Sequence, residues 1–383
     1  MLERAGIYIG WVGQANLGDE AMWKVCRDRF RRLNWVLWDE LIYRYSPQRY
    51  MGHAKQDKAY IIKAALGEIR TRNKSRMLMH KLLHRWAASR GGESALLGGG
   101  TLINREDLWL DAYRSLRRRV KKPVFVFGTG VANPELWISE PGWVDKRREW
   151  VSLLAELPVV GVRGPTSKAL LEEAGATNVV ISGDPAAALH RPRPAGNESG
   201  PPRRELHIGI NCGFCGRMWG TAAAVNEILA ETGRELIRCG HSVELFSVWP
   251  DDTNYCHQVA RQIGESALKP VRDLSSLDGF MSAIRMYDLV IAFKLHAGVL
   301  AAAANVPVII LEYQPKCLDF ALSAGWDRFT IRTSQLTRQK LLDMVYEMAS
   351  GLGSIREELC KAMCGLSGKF AAYCDAIEGH LLR

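Results

Sequence analysis

Between Asp288 and Lys316 the chain reads DLVIAFKLHAGVLAAAANVPVIILEYQPK, and this stretch admits few folds. Residues 289–293 form an apolar run of a length suited to a buried strand, and 306–311 form another. A helix of small residues, 297–304, lies between them. Strand, helix and strand in that order make a crossover unit, so the two strands are parallel neighbours in a sheet. In an open parallel sheet, ligands bind beyond the carboxyl ends of the strands. Lys294 and His296 fall at the first of these ends, Tyr313 and Lys316 at the second. A cation and an imidazole at one exit, with a second cation at the next, describe a site for an anion.

The same grammar recurs upstream. Residues 5–12 read as a strand running into Gly10-Trp-Val-Gly-Gln-Ala-Asn16-Leu-Gly18-Asp19-Glu20, with a helix over about 21–31. Amides at such a helix start can receive an anion. The GxGxxG dinucleotide fingerprint is absent. Asn16 or Asp19 as a plain helix cap, with Glu20 serving the helix dipole, is the equal alternative. A second short strand is predicted at 34–38. Strand 94–97 ends in Gly98-Gly99-Gly100-Thr101, glycines that let a ligand approach the backbone closely. Strand 123–127 leads into Gly128-Thr129-Gly130, and strands 159–163 and 179–182 follow, the last into Gly183-Asp184-Pro185. Asp184 suits a turn or cap as well as a catalytic carboxylate.

Residues 191–204, RPRPAGNESGPPRR, break the pattern and read as a linker. Strands then resume at 206–211 and 242–248, with helices over 221–239, 253–264 and 274–287. The expected architecture is α/β: two doubly wound Rossmann-like domains facing across a cleft. The boundaries are 1–192 for the first domain, on the acceptor side, 193–205 for the linker, 206–350 for the second domain, on the donor side, and 351–383 for a helical tail.

Composition narrows the class. At 383 residues, 47% hydrophobic, the chain has material for two cores. No apolar run approaches the roughly 18 residues of a membrane span, and strand-like sequence begins at once at the N-terminus. The expected location is the cytoplasm, with the inner face of the cell membrane as a second address. Nine cysteines, odd in number and widely spread, argue against a disulfide framework. Cys212-Gly-Phe-Cys215 is the one CxxC, and Cys360/Cys364 inside a helical tail is a poor second pair for zinc. No metal is therefore expected, and the cysteines read as small core or loop residues. The net charge of +10 has a location: residues 44–90 hold twelve Lys or Arg against Asp57 and Glu68. Tyr43, Tyr45, Tyr50, Tyr60 and Trp86 are interleaved, a surface suited to anionic lipid, nucleic acid or acidic glycans. A solvated basic face of two helices is the equal alternative.

Six segments taken together resemble the polysaccharide pyruvyl transferase family: GWVGQANLGDEAMW (10–23), LLGGGTLIN (96–104), FGTGVANPE (127–135), VVGVRGPTSKALLEEAG (159–175), ISGDPA (181–186) and FKLHAGVLAAAANVPVIILEYQPK (293–316). They stand in the family's order over some 300 residues. The resemblance implies a GT-B-like fold, phosphoenolpyruvate as donor and co-substrate with no further cofactor, and a sugar or lipid-linked oligosaccharide as acceptor. The family usually has Arg-Leu-His where this chain has Lys294-Leu295-His296, and those flanking residues hold the donor. Lys keeps the charge without the planar fork of Arg. Gly164 follows Arg163 where the family usually has Asp, and Gln314 stands where many members carry Asp.

For that chemistry Lys294, Arg163 and Lys316 are expected to hold the anions. His296 is expected to move a proton or assist the leaving phosphate, since imidazole titrates near neutral pH. Asp19, Glu20 or Asp184 is expected to accept the hydroxyl proton. Tyr313, Asn16, Gly18, Gly99, Gly100, Thr101, Gly128 and Asn211 complete the expected binding set. The basic 44–90 segment would meet anionic membrane, with no nucleic acid partner expected. Two rivals stand beside this reading: a nucleotide-sugar glycosyltransferase on the same fold, and a non-catalytic polyanion or membrane-surface binder using 44–90.

Overall fold

Among the described residues of the computed structural model all strand pairings are parallel, in two sheets of six strands each. The described residues are 4–12, 15–37, 94–104, 106–120, 122–136, 143–191, 205–264, 272–273 and 276–382. The basic 44–90 segment and all but the last residue of the expected 193–205 linker lie outside them.

The first sheet comprises β1 (Arg4–Ile9), β2 (Leu33–Leu37), β3 (Ser94–Leu97), β4 (Val124–Thr129), β5 (Val160–Val162) and β6 (Val179–Ile181), in the order β2-β1-β3-β4-β5-β6. Every residue of β3 and β4 is buried, the mark of a sheet covered on both faces and the reason these strands are continuously apolar. Its helices are α1 (Leu17–Arg29), α2 (Asp107–Arg119), α3 (Trp143–Leu154) and α4 (Pro165–Glu173), followed by a 3₁₀ turn, Pro185–Leu189.

The second sheet repeats the plan with β7 (His207–Asn211), β8 (Ser242–Ser247), β9 (Arg272–Asp273), β10 (Leu289–Ala292), β11 (Val308–Glu312) and β12 (Thr330–Arg332), in the order β12-β11-β10-β7-β8-β9. Around it lie α5 (Ala222–Arg238), α6 (Thr253–Ile263), α7 (Leu277–Ile284), α8 (Leu295–Ala303), α9 (Pro315–Ala324), α10 (Arg338–Ser350) and α11 (Leu352–Leu382). The two- and three-residue edge strands β9 and β12 escape sequence reading because they carry no periodicity of their own. Strand order reverses between β1 and β3 in one sheet and between β7 and β10 in the other, and ligands of doubly wound sheets bind at such reversals.

Two apolar contacts join the lobes. Leu17, Ala21 and Met22 of α1, with Ala186 and Ala187 of the 3₁₀ turn, belong to the core of the second lobe, and the Leu17 amide donates to the Val248 carbonyl at 3.1 Å. The segment expected as a tail, 351–383, holds one 31-residue helix, Leu352–Leu382, spanning both lobes. Its first half buries Ile355, Leu359, Met363 and Leu366 in the second core; its second half buries Phe370, Tyr373, Ile377 and Leu381 in the first. The Tyr373 hydroxyl donates to the Val126 carbonyl, and Arg29 pairs with Asp375 and Glu378. Among the described residues no helix is long and apolar enough to cross a membrane.

Candidate active site

The strand exits of the two sheets meet across a cleft of about 610 Å³ lined by both lobes. Three helix starts open on it: Asn16 before α1, Lys294 to His296 at α8, and Gln314 to Lys316 at α9. The positive ends of these helix dipoles face the cleft.

His296, in the first turn of α8, crosses to the other lobe. Its Nε2 stands 3.5 Å from Asp184 Oδ2, an ion-pair distance rather than a tight hydrogen bond. The crossing depends on Gly18, whose Cα lies under the imidazole: a Cβ there would overlap the ring. Asp184 is fully buried at the start of the 3₁₀ turn and also accepts from Arg163 Nε at 2.9 Å and the Ala186 amide at 3.0 Å. Burial alone would raise its carboxyl, but His296, Arg163 and that amide outweigh it and bring the group down to about 2.

Asp19 is the opposite case. It lines the cleft near its floor, and burial pushes its carboxyl up to about 7, with His296 and Lys316 opposing only in part. Lys316 is half-buried, its ammonium 5.0 Å from the Tyr313 ring centre, and burial lowers its pKa. Tyr313 is itself buried and stacked on Phe293 at 5.0 Å.

Lys294 is held rather than free. Its ammonium donates to the Phe214 carbonyl at 2.6 Å, lies 3.2 Å from Asp252 Oδ2, and sits 5.4 Å from the Trp249 ring centre. Burial raises the Asp252 carboxyl, with Lys294 opposing. Asp252 also accepts from the Phe214 amide at 3.0 Å, so the CxxC loop is a wall of the cleft. Its cysteines are free thiols.

Several expected ligands have other work. Arg163 is fully buried and does not line the main cleft; it donates to Asp184 and to the Gly100 carbonyl at 2.9 Å, while its Nη1 has no hydrogen-bond partner and it lines a small side pocket with Lys316. Asn211 is buried with its side chain committed to the Lys294 amide at 2.8 Å and the Phe246 carbonyl at 3.0 Å. Gly128, at φ 62°, lies against the Gly183 carbonyl, and Gly99 against Met22, so both are packing positions. Glu20 does not line the cleft. Asn16, Gly100 and Thr101 do, Asn16 also capping α1 through the Gly18 amide at 3.1 Å. Gly164 has no room for a side chain because the Asp319 backbone presses on it; from α9, Asp319 instead caps α4 across the interface, accepting from the amides of Thr166 at 2.9 Å and Ser167 at 3.1 Å.

Asp252 and the aromatic walls went unread in the sequence. Trp11, 39% exposed, meets Trp109 edge-on at 5.6 Å on the first lobe's side, and Trp249 and Phe214 stand on the second's. The one available signal was position: Trp249 and Asp252 directly follow the exit of β8.

Two parallel-sheet lobes with a shared cleft define a GT-B-like enzyme. Solved structures of the same fold include Anabaena HepE in complex with UDP and glucose (TM-score 0.56, 11% identity, 97% of each chain covered). A glycosyltransferase from Rickettsia africae (0.53, 11%, 100% of each) and S. aureus MnaA with UDP (0.52, 12%, 93% of this chain and 91% of that one) are further examples. At these identities the likeness concerns fold alone. No curated protein matches the chain. The family model for polysaccharide pyruvyl transferase matches residues 16–315, and the chain belongs to that family of transferases.

Proposed function

We propose that the enzyme transfers the pyruvyl group of phosphoenolpyruvate to two hydroxyls of a hexose, in a bacterial surface glycan or its lipid-linked precursor. The observation that supports this most is the split between two buried carboxylates beside one imidazole: Asp19 pushed up to about 7, Asp184 held down to about 2. Environments that drive paired acids apart mark acid–base roles.

The chemistry has matching needs. Protonation of the donor's methylene carbon makes the methyl group and leaves positive charge on the central carbon. One sugar hydroxyl adds there, phosphate departs with its electron pair, and a second hydroxyl closes the ketal. Of the two hydroxyl protons, one replaces that given to the methylene carbon and the other leaves on phosphate. Asp19 suits the proton exchange with carbon and hydroxyl, being available in both forms near neutrality. His296, oriented by Asp184, suits the departing phosphate, while Lys316 and the helix starts of α8 and α9 suit the anionic ends. The exposed Trp11 face offers the sugar a stacking surface. The basic 44–90 segment would hold the enzyme at the anionic membrane bearing a lipid-linked acceptor; vesicle binding insensitive to salt would count against that.

The neighbours solved with UDP favour a second reading, transfer from a nucleotide sugar. One experiment separates the two. Phosphoenolpyruvate should raise the melting temperature and, with lipid-linked hexose acceptors, release phosphate and add the mass of a pyruvate ketal. Stabilisation by UDP or GDP alone, with no phosphate released from phosphoenolpyruvate, would replace the first reading with the second.

A further inference from the structure

Outside the cleft, one group of donors among the described residues has the spacing of a metal site. Cys360 and Cys364 are four residues apart on α11 and therefore share a face. His190, just past the 3₁₀ turn, faces them, and the three donor atoms all lie within 4.8 Å of one another. Cys360 Sγ is 3.8 Å from His190 Nε2. A tetrahedral zinc ion with ordinary bond lengths holds sulfur and nitrogen ligands about 3.6 Å apart, so this pair needs almost no movement.

The imidazole is set for the task. His190 is 6% exposed, and its Nδ1 lies 3.1 Å from the Ala303 carbonyl. A carbonyl only accepts, so Nδ1 carries the hydrogen and the Nε2 lone pair faces the sulfurs. That outer contact is the one metal-bound histidines usually make. Two sulfurs and one nitrogen select a soft or borderline cation over magnesium or calcium.

We propose that His190, Cys360 and Cys364 bind one zinc-like divalent cation at the seam between the lobes, with the exposed Cys364 side leaving a fourth position to solvent. Binding converts both thiols to thiolates and releases two protons. The location gives the site a structural consequence. Asp184 and His190 flank the two ends of the 3₁₀ turn, and α8 runs from Leu295, beside His296, to Ala303. A cation there ties the end of the turn that Asp184 opens to α11, with the Ala303 end of α8 held through His190 Nδ1.

Titrating the chelator-treated full-length protein with cobalt(II) tests the proposal, because thiolate–cobalt bonds absorb in the near ultraviolet. One equivalent should produce this band together with the visible bands of four-coordinate cobalt, and zinc should abolish both. Cys364→Ser should roughly halve the thiolate band, and His190→Ala should weaken cobalt binding by at least about 100-fold. Zinc should raise the melting temperature of the wild type and not of Cys364→Ser, an exposed substitution that leaves the core untouched. No thiolate band in the wild type, or a band unchanged by Cys364→Ser, overturns the site. Loss of the band in Cys215→Ser instead would move the metal to the cleft loop and equally overturn it.

Discussion

The two lobes share a topology and contribute opposite chemistry. The first brings carboxylates to the cleft, Asp19 and Asp184, on loops whose glycines allow close approach. The second brings Lys294, His296 and Lys316, of which Lys294 is already paired within its own lobe by Asp252. The second lobe's own cleft carboxylate, Asp252, is taken up by Lys294, so neither lobe alone brings together Asp19, Asp184 and His296. The first lobe's two acids differ because Asp184 has the second lobe's His296 beside its own lobe's Arg163 and Ala186 amide, whereas burial dominates at Asp19. The acid–base set is thus a property of the docked pair, and disturbing the docking should erase it.

The sharpest way to break the comparison is His296→Ala. It removes the imidazole that reaches from the second lobe to Asp184 of the first and should lower kcat/KM by between about 10² and 10⁴, with a melting temperature near that of the wild type. Unchanged turnover would remove His296 from the chemistry. Gly18→Ala tests the same contact from the carboxylate side: its methyl overlaps the imidazole and should displace it, lowering activity on the order of 100-fold without touching a charged group. Wild-type kinetics in that variant would mean the lobes are not docked so closely.

The Asp19 carboxyl sets a pH signature. Its folded pKa of about 7 lies above the ordinary 3.8, so its contribution to stability is fully present below pH 3.8 and is lost as pH rises to about 7. Asp19→Asn should therefore raise the melting temperature more at pH 8 than at pH 4, and remove an inflection near pH 7 from the kcat/KM profile. A stability gain independent of pH would contradict the assignment. Asp184 runs the other way, its stabilisation present above pH 3.8 and lost as pH falls to about 2. The smallest effect is expected at Asp319→Ala, which removes the cap that one lobe places on the other's α4 and should destabilise by about 1 kcal/mol. A loss of melting temperature fully recovered by Gly164→Asp would show that a cap supplied from within α4's own lobe can serve instead; the tight Asp319 backbone argues that it cannot.

Much of this was readable in the chain because it is local. Apolar runs of strand length followed by glycine, Lys or His at their exits are fixed by a few adjacent residues, and so is the capping of α1 by Asn16. Arg163 and Asn211 show the limit. Each is a polar residue at a strand exit, as a ligand-binding residue would be, yet each is buried and committed to backbone or to Asp184. No sequence rule separates a side chain aimed at the cleft from one turned under it. The amphipathic pattern of α11 likewise announces a buried face without saying that two different cores share it.

The chain by itself determined two parallel α/β lobes, the exits at which polar residues gather, and a family whose members are transferases. Tertiary structure alone decided which carboxylate is ionised, which lysine is already neutralised, and that a histidine before the linker meets two cysteines some 170 positions later. The physical reason is range: hydrophobic periodicity and backbone caps act over a few residues, whereas pKa shifts and ligand clusters depend on groups that only packing brings within a few ångströms.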